Sequence, residues 1–229
     1  MLNSLQYLNF SEHMIEAIKF ALRYDPTPNP RVGAVLVDKN NKIKKITAHK
    51  EKDKDHAEYN LFKNSDISEN DTLYVTLEPC FHDDTSPSCA NAVLETNVQN
   101  IVVGDIDRDE RTNGKGIELL KNNDLNVSIE NGINDFLNPG YKITNDKPYL
   151  IGKVATSADH IIYNENKRYI TNKNSLEITH YLRATVDSVI IGKNTLKIDK
   201  TIEQYISNNF NSIQEYPIID NLLTTYTNK

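Results

Sequence analysis

Three short motifs in the first half of the chain carry residue types that could do chemistry. They are His56-Ala57-Glu58, Glu78-Pro79-Cys80 and Cys89. One histidine and two cysteine thiolates are enough to hold a zinc ion while a fourth position stays open for water. A nearby glutamate that is not a ligand can then move protons. These residue types therefore predict a catalytic zinc site.

The order of the motifs narrows the chemistry. Zinc-dependent deaminases of nucleobases share an H-x-E pattern followed by P-C-x-x-C, with the glutamate as general acid and base. Here eight residues separate Cys80 from Cys89 instead of two. His56 and Glu58 are two apart, so they can share a site only at a helix N-terminus, whose dipole also favours thiolates. Short motifs also arise by chance, and a cysteine pair in a secreted protein would indicate a disulfide.

Apolar periodicity predicts the elements that would position these motifs. The H-x-E motif opens a helix, and Pro79-Cys80 directly follows a strand. The order α-β-β-α-β-α-β-α-β predicts an α/β fold with one mixed sheet and helices on both faces. The predicted helices span residues 11–23, 56–63, 89–96 and 116–122, and the predicted strands span 33–37, 43–48, 72–77, 101–103 and 125–129.

Turn residues between 139 and 148 predict a boundary between two parts of the chain. We assign residues 1–145 to a zinc-dependent deaminase domain and 146–229 to a second segment. In the second segment we expect a strand at 149–155, a helix at 174–183 and a strand at 188–191. Beyond residue 200 the pattern becomes polar, without a clear period.

Composition argues against several classes of function. A net charge of -6 and a pI near 5.5 disfavour a nucleic-acid-binding surface, which needs clustered lysine and arginine. No stretch approaches the roughly 20 apolar residues of a membrane span, and the first ten residues do not have the pattern of a signal peptide. We therefore expect a cytoplasmic protein with a small-molecule substrate.

A longer segment links the cysteines to a known family. Residues 76–89, T-L-E-P-C-F-H-D-D-T-S-P-S-C, resemble the T-L-E-P-C-S-H-x-G-[KR]-T-P-P-C segment of the riboflavin-biosynthesis bifunctional deaminase/reductase family. Residues 27–33 are similar to its T-x-P-N-P-x-V-G motif, and residues 107–116 to its D-P-N-P-x-V-x-G-x-G motif. His49 matches a family histidine. The resemblance covers about residues 10–199.

The resemblance implies a cytidine-deaminase-like three-layer α/β/α fold, zinc as the cofactor and a specific set of site residues. By it, His56, Cys80 and Cys89 hold zinc and Glu58 is the catalytic proton shuttle. The implied substrate is a diaminohydroxypyrimidine with a phosphoribosylamino group, which loses one ring amino group as ammonia. The residues implied to bind this aminopyrimidine are Asn29, His49, His82, Asp107 and Asp109.

Three positions depart from the family pattern on the side expected for the substrate phosphate. Asp84 stands where the family has glycine, Thr85 where it has a basic residue, and Asp109 where it has asparagine. The loss of a cation and the gain of carboxylates weaken anion binding. Three arginines that could compensate are Arg31, Arg108 and Arg111. Alternatives are therefore a deaminase of another base, a nucleoside or an unphosphorylated pyrimidine, or a non-catalytic assembly partner of a separate deaminase or reductase.

The second segment resembles the opening of the family's reductase domain. The matching stretches are residues 152–159, 169–171, 182–184 and 191–199. They imply a partial, truncated dihydrofolate-reductase-like α/β segment. No glycine-rich phosphate loop follows, so we expect no nicotinamide cofactor and no reductase activity. We expect this segment to pack on the deaminase domain or to form a homo-oligomer.

Overall fold

A computed structural model describes most of the first half of the chain and parts of the second. The described residues are 10–82, 88–142, 149–162, 164, 166, 169–184, 186, 188–192, 210–215 and 223–228. The chain divides between Lys153 and Val154 into two compact units. The boundary predicted between residues 145 and 146 lies outside the described residues, so the assignment of the two domains stays a prediction.

A five-stranded mixed sheet forms the centre of the first unit, with the strand order β2-β1-β3-β4-β5. Strand β1 pairs antiparallel with both β2 and β3, whereas β3, β4 and β5 run parallel. Parallel neighbours need a crossover, and helices supply both crossovers here. The strands are β1 (Gly33–Val37), β2 (Ile43–Ala48), β3 (Thr72–Val75), β4 (Asn100–Val103) and β5 (Asn126–Ile129).

The predicted helices of this unit are confirmed. Ser11 caps the first of them, as its cap pattern predicted, by accepting a hydrogen bond from the Met14 amide at 3.4 Å. A further helix of five residues, α5, was not predicted, since it is too short to show a period. The helices are α1 (Glu12–Ala21), α2 (Ala57–Phe62), α3 (Cys89–Leu94), α4 (Lys115–Asn122) and α5 (Ile133–Leu137).

The two faces of the sheet are covered by different helices. Alternate residues of β1 and β3 face one core cluster, which also contains Leu61 of α2, Val93 of α3 and Leu120 of α4. Helix α1 packs on the opposite face, where its Ala17 carbonyl oxygen lies only 2.1 Å from where a Cβ on Gly33 would be. Only glycine permits this approach. The result is the expected three-layer α/β/α arrangement.

The second unit has a helix, α6 (Lys173–Ala184), and the strands β6 (Ser188–Gly192), β7 (Phe210–Glu215) and β8 (Leu223–Asn228) among its described residues. The strands form an antiparallel sheet in the order β6-β8-β7. The predicted helix and the strand at 188–191 are confirmed. Two strands occur beyond residue 200, where the sequence pattern predicted none.

The strand predicted at 149–155 is wrong. Leu150 and Val154 are 76% and 71% exposed, and no described strand pairs with this stretch. The stretch also crosses the division between the two units at Lys153. A strand needs a hydrogen-bonded neighbour, and an apolar pattern cannot supply one. Among the described helices, none is both long and apolar enough to cross a membrane.

Candidate active site

The N-terminal end of α2 brings His56 and Glu58 to one place. His56 is the N-cap residue with an extended backbone, and Glu58 lies in the first turn. The side chains of residues two apart diverge inside a helix, but here the first of them precedes the helix. The sequence-based expectation that this motif opens a helix is therefore confirmed.

The two cysteines reach the same point from different elements. Cys80 lies in the loop after β3, and Cys89 is the first residue of α3, whose N-cap Ser88 accepts a hydrogen bond from the Asn91 amide at 3.3 Å. The Cys89 amide donates to the Cys80 sulfur at 3.2 Å. The start of α3 thus directs one backbone N–H at the Cys80 sulfur and favours a negative charge there.

His56, Cys80 and Cys89 fit a zinc ion. The His56 Nδ1 atom lies 3.2 Å from the Cys89 sulfur and 3.7 Å from the Cys80 sulfur. The three ligand atoms all lie within 4.8 Å of one another. Zinc–nitrogen and zinc–sulfur bonds of about 2.1 and 2.3 Å would place tetrahedral ligands roughly 3.5–3.8 Å apart. Both cysteines are free thiols, and no disulfide joins them.

The pKa values of the two cysteine thiols are shifted in opposite directions. A hydrogen bond from Cys89 lowers the pKa of Cys80 to about 4. The same hydrogen bond, together with burial, raises the pKa of Cys89 well above its usual value. Metal binding requires both sulfurs to be deprotonated, so it would release any proton that they hold.

Glu58 lies beside these ligands but outside the group that could hold a metal. Its side chain is 3% exposed and makes a hydrogen bond with Cys89. Burial, which penalises the charged form, raises the pKa of Glu58 to about 7. A carboxyl group in this position can take up and release protons at neutral pH.

Glu78, quoted in the motif but given no role from the sequence, organises the loops around the site. Its carboxylate accepts hydrogen bonds from the backbone amides of Asp107 at 3.0 Å, Gly114 at 2.8 Å and Ile117 at 3.1 Å. This buried group thus joins the loop after β3 to the loop after β4 and to the start of α4. The only sequence signal for it was its place beside Pro79 and Cys80.

Gly116 is the last glycine of the stretch at residues 107–116 that resembles D-P-N-P-x-V-x-G-x-G, and a close backbone contact requires glycine there. A Cβ atom on this residue would lie 2.2 Å from the carbonyl oxygen of Pro79. Helix α4 therefore touches the backbone immediately before Cys80. Gly114, the N-cap residue of α4, has a positive φ of 87°, which glycine adopts without strain.

The five residues expected to bind substrate line one pocket together with His56, Glu58 and Cys80. Asn29 and His49 contact each other through Nδ2 and Nε2 at 3.2 Å, and burial lowers the pKa of His49. His82 contacts the Thr112 hydroxyl at 3.2 Å. The structure brings this set together, and its contacts with a substrate remain a prediction. The set is Asn29, His49, His82, Asp107 and Asp109.

Two further residues that contact this set were not predicted. Tyr141 lines the pocket and forms a hydrogen bond with Asp107. Burial raises the pKa of both groups, above the usual values of a tyrosine and an aspartate. Lys142 lies 3.1 Å from the carboxylate of Asp109. Both come more than thirty positions after Asp107 and Asp109, so no local spacing indicated them.

Only one of the three arginines considered as a compensating cation lines the pocket. Arg31 pairs with Asp25 at 2.9 Å and Arg108 with Asp135 at 2.5 Å. Arg111 lines the pocket and pairs with Asp109 at 2.8 Å. The other two departures from the family pattern, Asp84 and Thr85, lie outside the described residues.

Comparisons with known proteins agree with this geometry. A family model described as the cytidine and deoxycytidylate deaminase zinc-binding region matches residues 9–105. The chain is 34% identical over 177 residues to riboflavin biosynthesis protein RibD of Aquifex aeolicus, which covers 74% of this chain and 49% of that protein. It is 32% identical over 120 residues to diaminohydroxyphosphoribosylamino-pyrimidine deaminase of Buchnera aphidicola subsp. Schizaphis graminum, covering 51% of this chain and 81% of that protein.

A solved structure matches both parts of the chain. Acinetobacter baumannii RibD, form 1, superposes with a TM-score of 0.57 at 30% sequence identity, covering 82% of this chain and 53% of that one. A match over 82% of the chain is longer than the first unit and so extends into the second. The chain spans about half the length of the RibD relatives it matches.

Proposed function

The chain belongs to the diaminohydroxyphosphoribosylaminopyrimidine deaminase family, and we propose that it removes a ring amino group from an aminopyrimidine by zinc-dependent hydrolysis. The substrate we propose is the diaminohydroxypyrimidine with a phosphoribosylamino group, an intermediate of riboflavin biosynthesis. The single observation that carries this proposal is the position of Glu58. Its buried carboxylate lies beside a three-ligand metal set, in a pocket that the predicted substrate residues also line.

Zinc is the cofactor of this type of domain, and His56, Cys80 and Cys89 would hold it. Three protein ligands leave a fourth position open. When bound there, zinc supplies a water molecule of lowered pKa, and hence a nucleophile at neutral pH. The protein contributes the geometry, because α2, α3 and the loop after β3 each present one ligand.

Glu58 is the group that moves protons in this proposal. Its carboxylate takes a proton from the attacking water and passes it to the ring nitrogen. It then takes the proton of the newly added hydroxyl and passes it to the amine, so that the C–N bond breaks, a carbonyl forms and the amine leaves as ammonia. General acid–base catalysis of this kind contributes typically 10²–10⁴-fold. Asn29 and His49, already in contact with each other, hold the ring in the pocket by hydrogen bonds.

Ammonia release tests the proposal directly. Purified protein is incubated with a panel of aminopyrimidines, with and without the phosphoribosyl group, and with cytidine and cytosine as other deaminase substrates. Saturable ammonia release from the phosphoribosylated diaminopyrimidine is the expected result. Release only from cytidine or cytosine would assign a different substrate, and no release from any compound by zinc-loaded protein would favour a non-catalytic assembly partner.

We also propose a cytoplasmic location and self-association through residues 146–229. Two free thiols and no disulfide are consistent with a reducing compartment.

Exposed apolar residues between 149 and 162 are consistent with an interface for self-association; they include Leu150, Val154 and Ile162. Sedimentation velocity of the purified chain would measure the oligomeric state, and a monomer at every concentration would exclude self-association.

A further inference from the structure

Asn138, the C-cap residue of α5, holds the backbone of Arg31 by two hydrogen bonds. Its Oδ1 atom accepts from the Arg31 amide at 2.7 Å, and its Nδ2 atom donates to the Arg31 carbonyl oxygen at 3.0 Å. Nδ2 also donates to Asn134 Oδ1 at 3.1 Å. Asn138 is only 6% exposed, and both protons of its amide group are used in these contacts. The carboxamide therefore binds the N–H and the C=O of one residue, as a neighbouring strand would.

Arg31 lies in the loop that leads from Asn29 into β1. Pro30 and Val32, on either side of Arg31, line the pocket together with Asn29. Proline has no backbone N–H, so the Arg31 amide is the first after Asn29 that can fix this loop. Strand β1 begins two positions after Arg31, and none of the described strands pairs with Arg31 itself. The side chain at the end of α5 therefore takes the place of a strand neighbour.

Helix α5 is itself fixed to the sheet beside the site. The Asp105 carboxylate, which follows β4, accepts hydrogen bonds from the amides of Gly132 at 3.0 Å and Asn134 at 2.5 Å. The Asp105 carbonyl oxygen accepts from the Glu78 amide at 2.8 Å, in the segment that leads to the cysteine loop. Leu137 packs into the core and is 1% exposed. The end of α5 is therefore a fixed point from which a side chain can hold a loop.

The loop that Asn138 holds presents Asn29 to His49 in the pocket. Asn29 Nδ2 lies 3.2 Å from His49 Nε2, and His49 Nδ1 lies 3.2 Å from the carbonyl oxygen of Asp55. A carbonyl oxygen only accepts, so Nδ1 carries the ring proton and Nε2 accepts from Asn29. The His49 amide donates to the Val32 carbonyl oxygen at 2.9 Å, which fixes the loop from the β2 side. Asn138 fixes the same loop from the α5 side, and a shift there would misplace Asn29 relative to His49.

We infer that Asn138 is a positioning residue that holds Asn29 in place for the ring of the substrate. It acts through the Arg31 backbone and is not among the residues that line the described pocket. This inference rests on the proposed function, in which Asn29 and His49 hold the aminopyrimidine. The position of such a group decides its effect, since a displacement of about 1 Å can cost 10²-fold in rate. A site keeps its geometry when side chains outside it hold its members in place.

The first test is Asn138→Ala, which removes both contacts with Arg31. We expect kcat/KM for the aminopyrimidine to fall by roughly 10- to 100-fold and zinc content to stay as in wild type. Asp71→Ala is the matched control, because Asp71 is 2% exposed, pairs with Lys44 at 2.7 Å and precedes β3 at the end away from the site. Its kcat/KM should stay within about twofold of wild type. All variants are measured well below their melting temperatures, and a wild-type kcat/KM in folded Asn138→Ala would overturn the inference.

A double-mutant cycle with Asn29→Ala separates positioning from a general loss of stability. If Asn138 acts through Asn29, adding Asn138→Ala to Asn29→Ala lowers kcat/KM further by less than about twofold, the usual error of additivity. If Asn138 is only structural, the two losses multiply, and this result would overturn the inference. Should alanine prevent folding, Asn138→Asp repeats the cycle, because it keeps the oxygen that accepts from Arg31 and replaces only the donor.

Hydrogen exchange tests the contact with Arg31 without turnover. In Asn138→Ala the Arg31 amide loses its acceptor and should exchange about 10-fold faster, the scale of one hydrogen bond. The Val35 amide in β1 should keep its wild-type rate. Unchanged exchange at Arg31 would overturn the inference even in a protein that deaminates its substrate.

Failure of the proposed function gives a different result. If zinc-loaded wild-type protein releases no ammonia, the function fails, and calorimetric titration with the aminopyrimidine then takes the place of kcat/KM. Binding that weakens in Asn138→Ala but not in Asp71→Ala supports the inference, and no binding to wild type rejects it.

Discussion

We propose that the residues at the candidate metal site divide into three ligands and one proton carrier. His56, Cys80 and Cys89 form a compact set of ligand atoms, and Glu58 lies next to this set without belonging to it. We therefore expect loss of a ligand to reduce metal binding, and loss of the carboxylate to reduce proton transfer while metal binding is kept. This division leads to two predictions with opposite results for zinc content.

The first prediction concerns Glu58→Gln. Glutamine keeps the size of the side chain and removes its ability to take up a proton. We expect zinc content and melting temperature to stay as in wild type while deamination falls by 10²-fold or more, the usual scale of general acid–base catalysis. Glu118→Gln on the exposed face of α4 is the matched control. Turnover near the wild-type level in Glu58→Gln would remove this residue from its proposed role.

The second prediction concerns the two cysteines. Wild-type protein should contain about one zinc per chain, as one three-ligand site implies, and Cys80→Ser or Cys89→Ser should lose most of it. Serine is a poor zinc ligand because its hydroxyl stays protonated. Metal content is measured by mass spectrometry after dialysis, with Glu58→Gln as the variant that retains zinc. Finding metal-free, active protein with a disulfide between the two cysteines would contradict the zinc site.

At the scale of elements, the site depends on how closely α4 approaches the loop that carries Cys80. Glu78 binds the amides around the start of α4, and Gly116 lies against the Pro79 carbonyl. Neither contact is local in sequence. The position of Cys80 is therefore set by the packing of α4 against this loop as well as by β3.

The third prediction is that Gly116→Ala destabilises the first unit and weakens zinc binding. Helix propensity alone favours alanine by about 1 kcal/mol. The new Cβ, however, would lie 2.2 Å from a backbone oxygen, so the helix or the loop must move. Overpacking of this kind typically costs about 1–3 kcal/mol, and more against backbone. Gly152→Ala is the control, since nothing lies within 4 Å of its Cβ position. Equal melting temperatures for the two variants would show that α4 is not constrained by this contact.

At the scale of the whole molecule, the chain combines a deaminase unit with a second unit that has one helix and three strands among its described residues. The RibD relatives it matches are about twice as long. We propose that the matched part of the second unit corresponds to the opening of a reductase-like domain, as the sequence resemblance implies.

The fourth prediction is that the 229-residue chain by itself does not reduce its deaminated product. Hydride transfer requires a domain that holds both the nicotinamide and the sugar of the substrate in line. Oxidation of NADPH and NADH is followed spectrophotometrically with purified protein and product made by the same preparation. A full-length RibD serves as the positive control. Saturable oxidation that depends on the deaminated product would show that the second unit is a working reductase.

The helices and strands of the first unit could be predicted from the sequence, as could the three residues that we propose hold zinc, because both depend on local patterns. Ser11 identified the start of α1, and the apolar period located the strands to within about two residues. The His56-Ala57-Glu58 motif placed a histidine and a glutamate at a helix N-terminus, where α2 indeed begins. Together with His56, the residue types at Cys80 and Cys89 were enough to predict zinc, since few metals prefer one nitrogen and two sulfur ligands.

The folded structure was needed to show which distant residues meet. The strand expected at 149–155 is absent from the described residues, because a strand depends on a neighbour as well as on its own pattern. Lys142 and Tyr141 reach Asp109 and Asp107 only after the chain has crossed β5 and α5. The sign of the charge at Asp109 was readable in the sequence, but its effect depends on the cations folded against it. The pair with Arg111 is local, whereas the pair with Lys142 joins groups more than thirty positions apart, which local spacing does not predict.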